Sequence, residues 1–290
     1  MKNESFRISV IATIIQHDDQ VLNAISNHFG SSKMAFSLPR APKRYCRGSK
    51  FGSLTILDEI TSGKFAAVFS CASDKGEKFA LKEIRGSHST AVGELLCVKE
   101  KLSNVHLVNL LETFSSQHGT LCFLMPYMRG CELFEMAGEI DASSALRITI
   151  GLSKAIRYLH RHQLVHRDCK PENVIVDEHA EAVLVDLGTV RAHGVTAMVH
   201  GTRAYLPPEE KGRKTHVVVP SLDAWSLGIT ICSVLLGEFV KSCADATQKA
   251  SRRPHVAALI CKAAVLLVRD VTDRRTVPQF LNELTDFESQ

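Results

Sequence analysis

No stretch of the 290-residue chain reaches 18 consecutive apolar residues, which argues against a membrane-spanning helix. The two longest apolar candidates, 227–240 and 256–268, are shorter and carry Glu238 and Lys262. Paired cysteines are also missing. Nine are scattered along the chain, an odd number, and none forms Cys-x-x-Cys. That pattern excludes a disulfide framework or a zinc module and predicts reduced thiols in an intracellular protein, cytoplasmic or nuclear. An apolar run at 8–15 follows Lys2 and Arg7 but enters Gln16-His17-Asp18-Asp19 without a small-residue cleavage site, so secretion is not expected. Internal repeats and low-complexity tracts are absent.

Acidic residues are absent from 31 to 53, whereas Lys33, Arg40, Lys43, Arg44, Arg47 and Lys50 all fall there, with Pro39 and Pro42. This stretch is a solvated tether or a patch for nuclear import or an anionic surface. Its six positive charges exceed the formal +4 of the whole chain and leave the rest at −2. Basicity therefore belongs to the leading segment, and nucleic-acid binding is not favoured.

From about residue 51 the texture changes. Short β-type runs at 54–60, 66–72, 78–84, 107–114 and 120–127 are separated by Ser-Gly, Asp-Lys-Gly and Gln-His-Gly turns, with one helical stretch at 91–102. After about 130 the pattern is mainly helical. Residues 142–162 place Leu146, Ile150, Leu152, Ile156 and Leu159 near helical spacing, and 224–236 and 256–268 are apolar on most faces, as buried helices are. The fold class is α+β, a small β-rich lobe followed by a larger helical lobe, with a ligand cleft expected between them.

The densest chemistry is His166-Arg167-Asp168-Cys169-Lys170-Pro171-Glu172-Asn173, which closes a helix and enters a Val174-Ile175-Val176 strand. Eighteen residues after Asp168 comes Asp186-Leu187-Gly188, directly behind an apolar strand. The two motifs, in this order, resemble the catalytic loop and the metal-binding triplet of eukaryotic-type protein kinases of the Ser/Thr subclass. The resemblance covers about residues 54–285 and implies a two-lobed kinase fold over 51–287, lobes 51–128 and 129–287, behind an extension at 1–50. It implies ATP as co-substrate, Mg²⁺ as cofactor and protein Ser/Thr hydroxyls as acceptors. Asp168 then serves as catalytic base, Lys170 neutralises the transferred phosphoryl group, and Asn173 and Asp186 hold the metal through hard oxygens.

Further motifs extend the likeness. Phe79-Ala80-Leu81-Lys82 resembles the strand with the phosphate-binding lysine, and Glu94 matches its ion-pair partner. Met125 matches the gatekeeper, and 126–128 the hinge around adenine. Pro126 has no N–H, which leaves that of Met128 for the base. Glu132 is a candidate for the ribose hydroxyls; Ile60, Val68, Ala80 and Ile175 would wall the nucleotide. Gly201-Thr202-Arg203-Ala204-Tyr205-Leu206-Pro207-Pro208-Glu209 resembles the end of an activation segment, with Thr202 bonded to Asp168 and Lys170. Asp223 matches the residue that holds the catalytic-loop backbone, and Arg274 the basic partner of Glu209.

The likeness is incomplete at the phosphate loop. Ile60-Thr61-Ser62-Gly63-Lys64-Phe65-Ala66 keeps only the middle glycine, which predicts weaker nucleotide affinity. A nucleotide-binding scaffold with negligible catalysis is the alternative function. A small-molecule kinase is disfavoured by the intact segment at 201–209. Arg167 is positioned by the resemblance to dock an activation-segment phosphate, yet Met198 stands where a phosphothreonine is common, and Thr196 is the nearest substitute. The eroded loop and the leading extension resemble Ser/Thr kinases encoded by large DNA viruses.

Overall fold

The alternating runs after residue 50 form a six-stranded antiparallel sheet. The strands are β1 (Lys50–Phe51), β2 (Leu54–Ser62), β3 (Ala66–Ser73), β4 (Lys78–Ile84), β5 (Glu112–Ser115) and β6 (Leu121–Pro126), in the order β1-β2-β3-β4-β6-β5. A helix, α1 (Val92–Lys99), lies between β4 and β5 in the chain. The computed structural model describes residues 45–85, 91–115 and 120–288, with side chains undescribed at 114, 115, 287 and 288. The apolar run 8–15, the cations Lys33, Arg40, Lys43 and Arg44, and the turn Gln117-His118-Gly119 lie outside the described residues.

Strand alternation puts Leu54, Ile56, Phe69, Cys71, Leu81 and Leu124 in one buried layer. Full burial of a side chain such as Phe69 or Leu81 is worth about 1.5–3 kcal/mol. Tyr45 joins this layer edge-on, 5.7 Å from the Phe51 ring and 5.6 Å from Phe69. The chain is thus bonded into the sheet by apolar packing a few residues before the first strand.

The opposite face carries a second cluster, Ile84 and Phe123 with Ala91 and Leu95. Helix α1 has eight residues, includes Gly93 and has no side-chain N-cap. So short a helix is marginal by itself and owes its existence to this packing. Glu94 in its first turn and Lys99 in its last also suit the helix dipole.

The described residues divide into two compact units, the first holding 45–102 and Asn109–Tyr127, the second Ser103–Val108 and 128 onward. The expected strand 107–114 is accordingly not continuous. Leu107 makes an isolated parallel bridge to Leu184, and Val108 N–H and Leu184 N–H donate across that bridge at 2.9 Å each. Backbone groups committed there cannot pair with β6, and regular pairing begins only at Glu112.

The second unit is mainly helical. Its strands are short: β7 (Cys131–Glu132), β8 (Leu164–Val165), β9 (Val174–Val176), β10 (Ala182–Leu184), β11 (Arg191–Ala192), β12 (Thr196–Met198) and β13 (Thr215–Val217). They pair as β7-β9-β10, β8-β11 and β12-β13. The helices are α2 (Ala142–Arg161), α3 (Ser221–Leu236), α4 (Cys243–Ala250), α5 (Ala257–Ala264) and α6 (Val277–Glu288). Helix α2 starts where Asp141 accepts N–H bonds from Ser143 (2.9 Å) and Ser144 (3.0 Å), an N-cap that satisfies two orphan donors.

Helix α3 is buried along nearly its whole length and stops at Gly237, whose φ of 72° suits glycine. The expected helix 256–268 breaks after Ala264 into a 3₁₀ turn, Val265–Leu267. That tighter turn seats Leu266 and Leu267 against Gly228 of α3, where a Cβ would come within 2.8 and 2.9 Å of them. All nine cysteines are free. Among the described residues, no helix is long and apolar enough to cross a membrane.

Candidate active site

In the first unit the strand register aligns Val68 with Lys82 and Ala80 with Met125. Alternation along β4 therefore puts Val68, Ala80, Lys82 and Met125 on one face. Lys82 Nζ lies 2.5 Å from Glu94 Oε1, with both side chains almost excluded from solvent. Helix α1, held on that face by Leu95, delivers the carboxylate. Ile60 occupies a bulge between the Glu59–Phe69 and Thr61–Val68 pairs and is half exposed. Beyond it the β2–β3 turn closes with Gly63 N–H donating to Ala66 C=O at 2.8 Å.

In the second unit Glu132 of β7 is the direct partner of Ile175 of β9, with Met128 just upstream. Gly130 has a φ of 141°, and any side chain there would run into the Val176 carbonyl. The bend that brings β7 back along β9 thus requires glycine.

The loop 166–173 is fastened along its length. Asp223 of α3, with no exposed surface, accepts N–H bonds from His166 (2.8 Å) and Arg167 (2.7 Å). Thr189 Oγ1 donates to the His166 carbonyl at 2.7 Å, and Thr230 Oγ1 to that of Cys169 at 3.1 Å. These anchors hold Arg167 at φ 75°, a left-handed conformation that non-glycine residues rarely adopt. His160 of α2 adds a third bond to Asp223, Nε2 to Oδ2 at 2.9 Å. Burial would raise the Asp223 pKa, but the His160 bond and charge and the Arg167 N–H outweigh it and hold the carboxyl below its ordinary value.

Asp168 sits at the centre with both carboxylate oxygens engaged. Oδ1 accepts the Thr202 N–H at 2.8 Å; Oδ2 faces Asn173 Nδ2 at 3.2 Å and Lys170 Nζ at 3.3 Å. Lys170 Nζ also donates to Thr202 Oγ1 at 2.9 Å. Thr202 therefore meets both partners expected of it, though it reaches Asp168 through its backbone and not its hydroxyl. Asn173 Nδ2 donates a further bond to the Asp168 carbonyl, which leaves its amide oxygen as the acceptor. Asp186, at φ 59°, presents an exposed carboxylate whose Oδ1 is 3.3 Å from Gly188 N–H. An amide oxygen and a carboxylate are the hard donors that Mg²⁺ takes. Cys169 offers no competing nucleophile, because burial, reinforced by Asp223, pushes its thiol far up in pKa.

A family profile described as the protein kinase domain matches residues 54–287. The chain belongs to the protein kinase family. Among curated relatives, this kinase is 29% identical over 206 residues to CBL-interacting protein kinase 11 of Oryza sativa, covering 66% of this chain and 41% of the relative. It is 31% identical over 193 residues to CBL-interacting serine/threonine-protein kinase 20 of Arabidopsis thaliana, covering 61% and 44%. The chain thus spans less than half the length of these relatives. A solved structure of the Cydia pomonella granulovirus kinase PK-1 superposes with a TM-score of 0.66 at 20% identity, over 79% of this chain and 92% of that one. At that identity the likeness is one of fold.

Sequence reasoning did not find His160, Thr189 or Thr230. Thr189 and Thr230 act on the loop backbone and His160 on the Asp223 carboxylate, each from outside the loop, and none stands in a motif. The expectation for Arg167 is also modified. Its guanidinium is nearly buried and donates to the backbone carbonyls of Thr189, at 3.2 Å, and Met198. A main-chain oxygen at Met198 thus occupies the arginine on which the resemblance would let an activation-segment phosphate dock.

Proposed function

We propose that this kinase transfers the γ-phosphoryl group of ATP to serine or threonine hydroxyls of proteins. The observation that carries the reading is the Asp168 carboxylate held between Thr202 N–H, Asn173 and Lys170. In the proposed reaction the acceptor hydroxyl oxygen forms a bond to the γ-phosphorus as the bond to the bridging oxygen of ADP breaks, and the hydroxyl proton passes to Asp168. Lys170 neutralises charge on the moving phosphoryl group, and Thr202 fixes the lysine. Lys82, held by Glu94, binds phosphate oxygens of the nucleotide. Ile60, Gly63, Val68, Ala80 and Met125 in the first unit, and Met128, Glu132 and Ile175 in the second, serve the nucleotide as the family pattern implies. Mg²⁺ bound by Asn173 Oδ1 and the Asp186 carboxylate would screen the phosphates.

The proposal extends to an intracellular enzyme whose kinase domain spans 51–287 behind an extension at 1–50. It also includes activity without activation-segment phosphorylation. Arg167 is already bonded to carbonyls, and the β12–β13 pairing of Thr196–Met198 with Thr215–Val217 orders that segment without a phosphate.

Asp168→Asn and Lys82→Met are the test, assayed by transfer of radiolabelled phosphate to a generic basic protein. Each lowers the rate by at least about 10²-fold in protein that remains folded, and Lys82→Met, which leaves the buried Glu94 carboxylate without its cation, also lowers the melting temperature. Wild-type protein that is stabilised by ATP and Mg²⁺ yet transfers no label would replace this reading with the nucleotide-binding scaffold.

A further inference from the structure

The β2–β3 turn keeps only the middle glycine of the family's phosphate loop, yet it is fastened by a side chain that stands outside the motif. Arg85 follows β4 directly. Its N–H donates to the Phe65 carbonyl at 2.6 Å, and its Nη1 donates to Ser62 Oγ at 2.5 Å. The guanidinium also meets the carboxylates of Glu83, 3.5 Å from Nε, and Glu59, 3.9 Å from Nη2. The Arg85 side chain is only 18% exposed, so salt screens these pairs less than it would on the open surface. The bond from Gly63 N–H to the Ala66 carbonyl closes the same turn.

Strand register puts this anchor on the side of the hairpin away from the nucleotide. Ser62 is paired with Ala67, and Ala67 with Glu83, so the three share one face. Arg85, two residues beyond Glu83, continues that face. Thr61, Val68 and Lys82 form the next row and face the other way. Arg85 therefore grips the loop without filling the space over Lys82.

A glycine-rich loop loses conformational freedom when it closes on phosphates, and that loss weakens binding. Here Thr61 and Ser62 are already held in β2, and the arginine fixes the turn before any ligand arrives. We propose that Arg85 is a positioning residue for the nucleotide: by tying Ser62 and Phe65 to the end of β4 it holds residues 61–66 in the conformation that receives the phosphates. The proposal rests on the nucleotide-binding part of the kinase reading and adds to it the residue that sets affinity for the phosphate part of ATP.

ATP with Mg²⁺ and adenosine are the probes, titrated separately into the full chain by calorimetry. Ser62→Ala removes one bond at an exposed position and should weaken ATP about three- to tenfold; Arg85→Ala should weaken it at least about tenfold. Adenosine has no phosphate and should bind both variants as it binds the wild type, a split that general loosening of the sheet would not give. Ser62→Thr keeps the hydroxyl and should retain wild-type affinity. The Ser62→Ala/Arg85→Ala double variant should be no weaker than Arg85→Ala, since both changes remove the same tie. Arg85→Ala also takes a cation from the buried Glu83, so Ser62→Ala, with a melting temperature near that of wild type, decides the matter if the arginine variant unfolds. Unchanged ATP affinity in Ser62→Ala, adenosine weakened in step with ATP, or Ser62→Thr as weak as Ser62→Ala overturns the proposal. A wild-type chain that binds ATP but transfers no label refutes phosphoryl transfer alone, and the titrations still decide Arg85; one that binds no ATP overturns both.

Discussion

Asp223 offers the most demanding test of how the catalytic loop is held. In Asp223→Ala two buried backbone donors, the N–H groups of His166 and Arg167, lose their acceptor. An unsatisfied buried donor costs about 1–3 kcal/mol, so the variant should lose about 2–6 kcal/mol. His160, with a side chain only 9% exposed, loses its acceptor as well and moves the loss toward the upper end of that range. Asp223→Asn is the sharper probe. Its single oxygen replaces one acceptor while its NH₂ group faces an N–H, giving one orphan and a loss of about 1–3 kcal/mol.

The functional consequence runs through Arg167. Its left-handed backbone costs about 1–2 kcal/mol by itself and persists because Asp223 holds the N–H. Without that anchor Arg167 relaxes, and Asp168, one residue on, shifts with it. Urea unfolding and phosphorylation of a basic protein, measured on the same preparations, should show Asp223→Asn folded yet severely impaired. The acid limb of stability gives a further readout. The carboxyl has a lowered pKa in the folded protein, so its stabilisation is complete above the unfolded carboxylate value of about 3.9 and fades as pH falls through the lower folded value. Asp223→Asn should therefore destabilise near neutrality and narrow its deficit below about pH 4. An Asp223→Ala protein within about 1 kcal/mol of wild type, or a fully active Asp223→Asn, would refute the anchoring argument.

Thr196→Ala, produced in bacteria, should keep full activity against a basic protein, since Arg167 is bonded to the Met198 carbonyl and Thr196 is exposed on β12; loss of activity would sink the phosphate-independent reading. Arg274→Ala removes a fully buried guanidinium from the Glu209 carboxylate, the Ser221 carbonyl and the Trp225 ring. With Glu209 a quarter exposed, the expected loss is about 2–4 kcal/mol in chemical denaturation, below the range for a pair buried on both sides. Gly63→Ala should leave thermal stability unchanged or slightly raised, because a Cβ there meets only the Ala66 carbonyl at 3.7 Å. Its nucleotide affinity should fall, and an unchanged ATP titration would show that Gly63 does not approach the phosphates.

The residues proposed to do the chemistry were legible in the sequence because their types and spacing suit what they would handle. Asp168, Lys170 and Asn173 come from one loop, and the backbone of that loop brings the Lys170 and Asn173 side chains to within 3.3 Å of the Asp168 carboxylate. Lys82 and Glu94 are twelve residues apart but lie on a strand and a helix whose apolar patterns could be read, and they meet. The kinase fold was legible for the same reason, through β-type alternation before about residue 130 and helical spacing after it.

What escaped the sequence is support from elsewhere in the fold. His160 reaches Asp223 across 63 positions, Thr230 reaches the Cys169 carbonyl across 61, and residues 106–108 bond to β10 in spite of a strand-like pattern that suits β6 equally well. The last two contacts are made to backbone atoms, which every residue possesses, and so leave no mark on the composition of the segment they hold, while His160 acts one step further out, on the Asp223 carboxylate. Arg167 shows the same limit within a motif. Its side chain suits a phosphate and a row of carbonyls alike, and only the path of 196–198, paired with β13, puts the Met198 oxygen on it. The type of residue 198 says that no phosphate can form there; the fold says what takes its place.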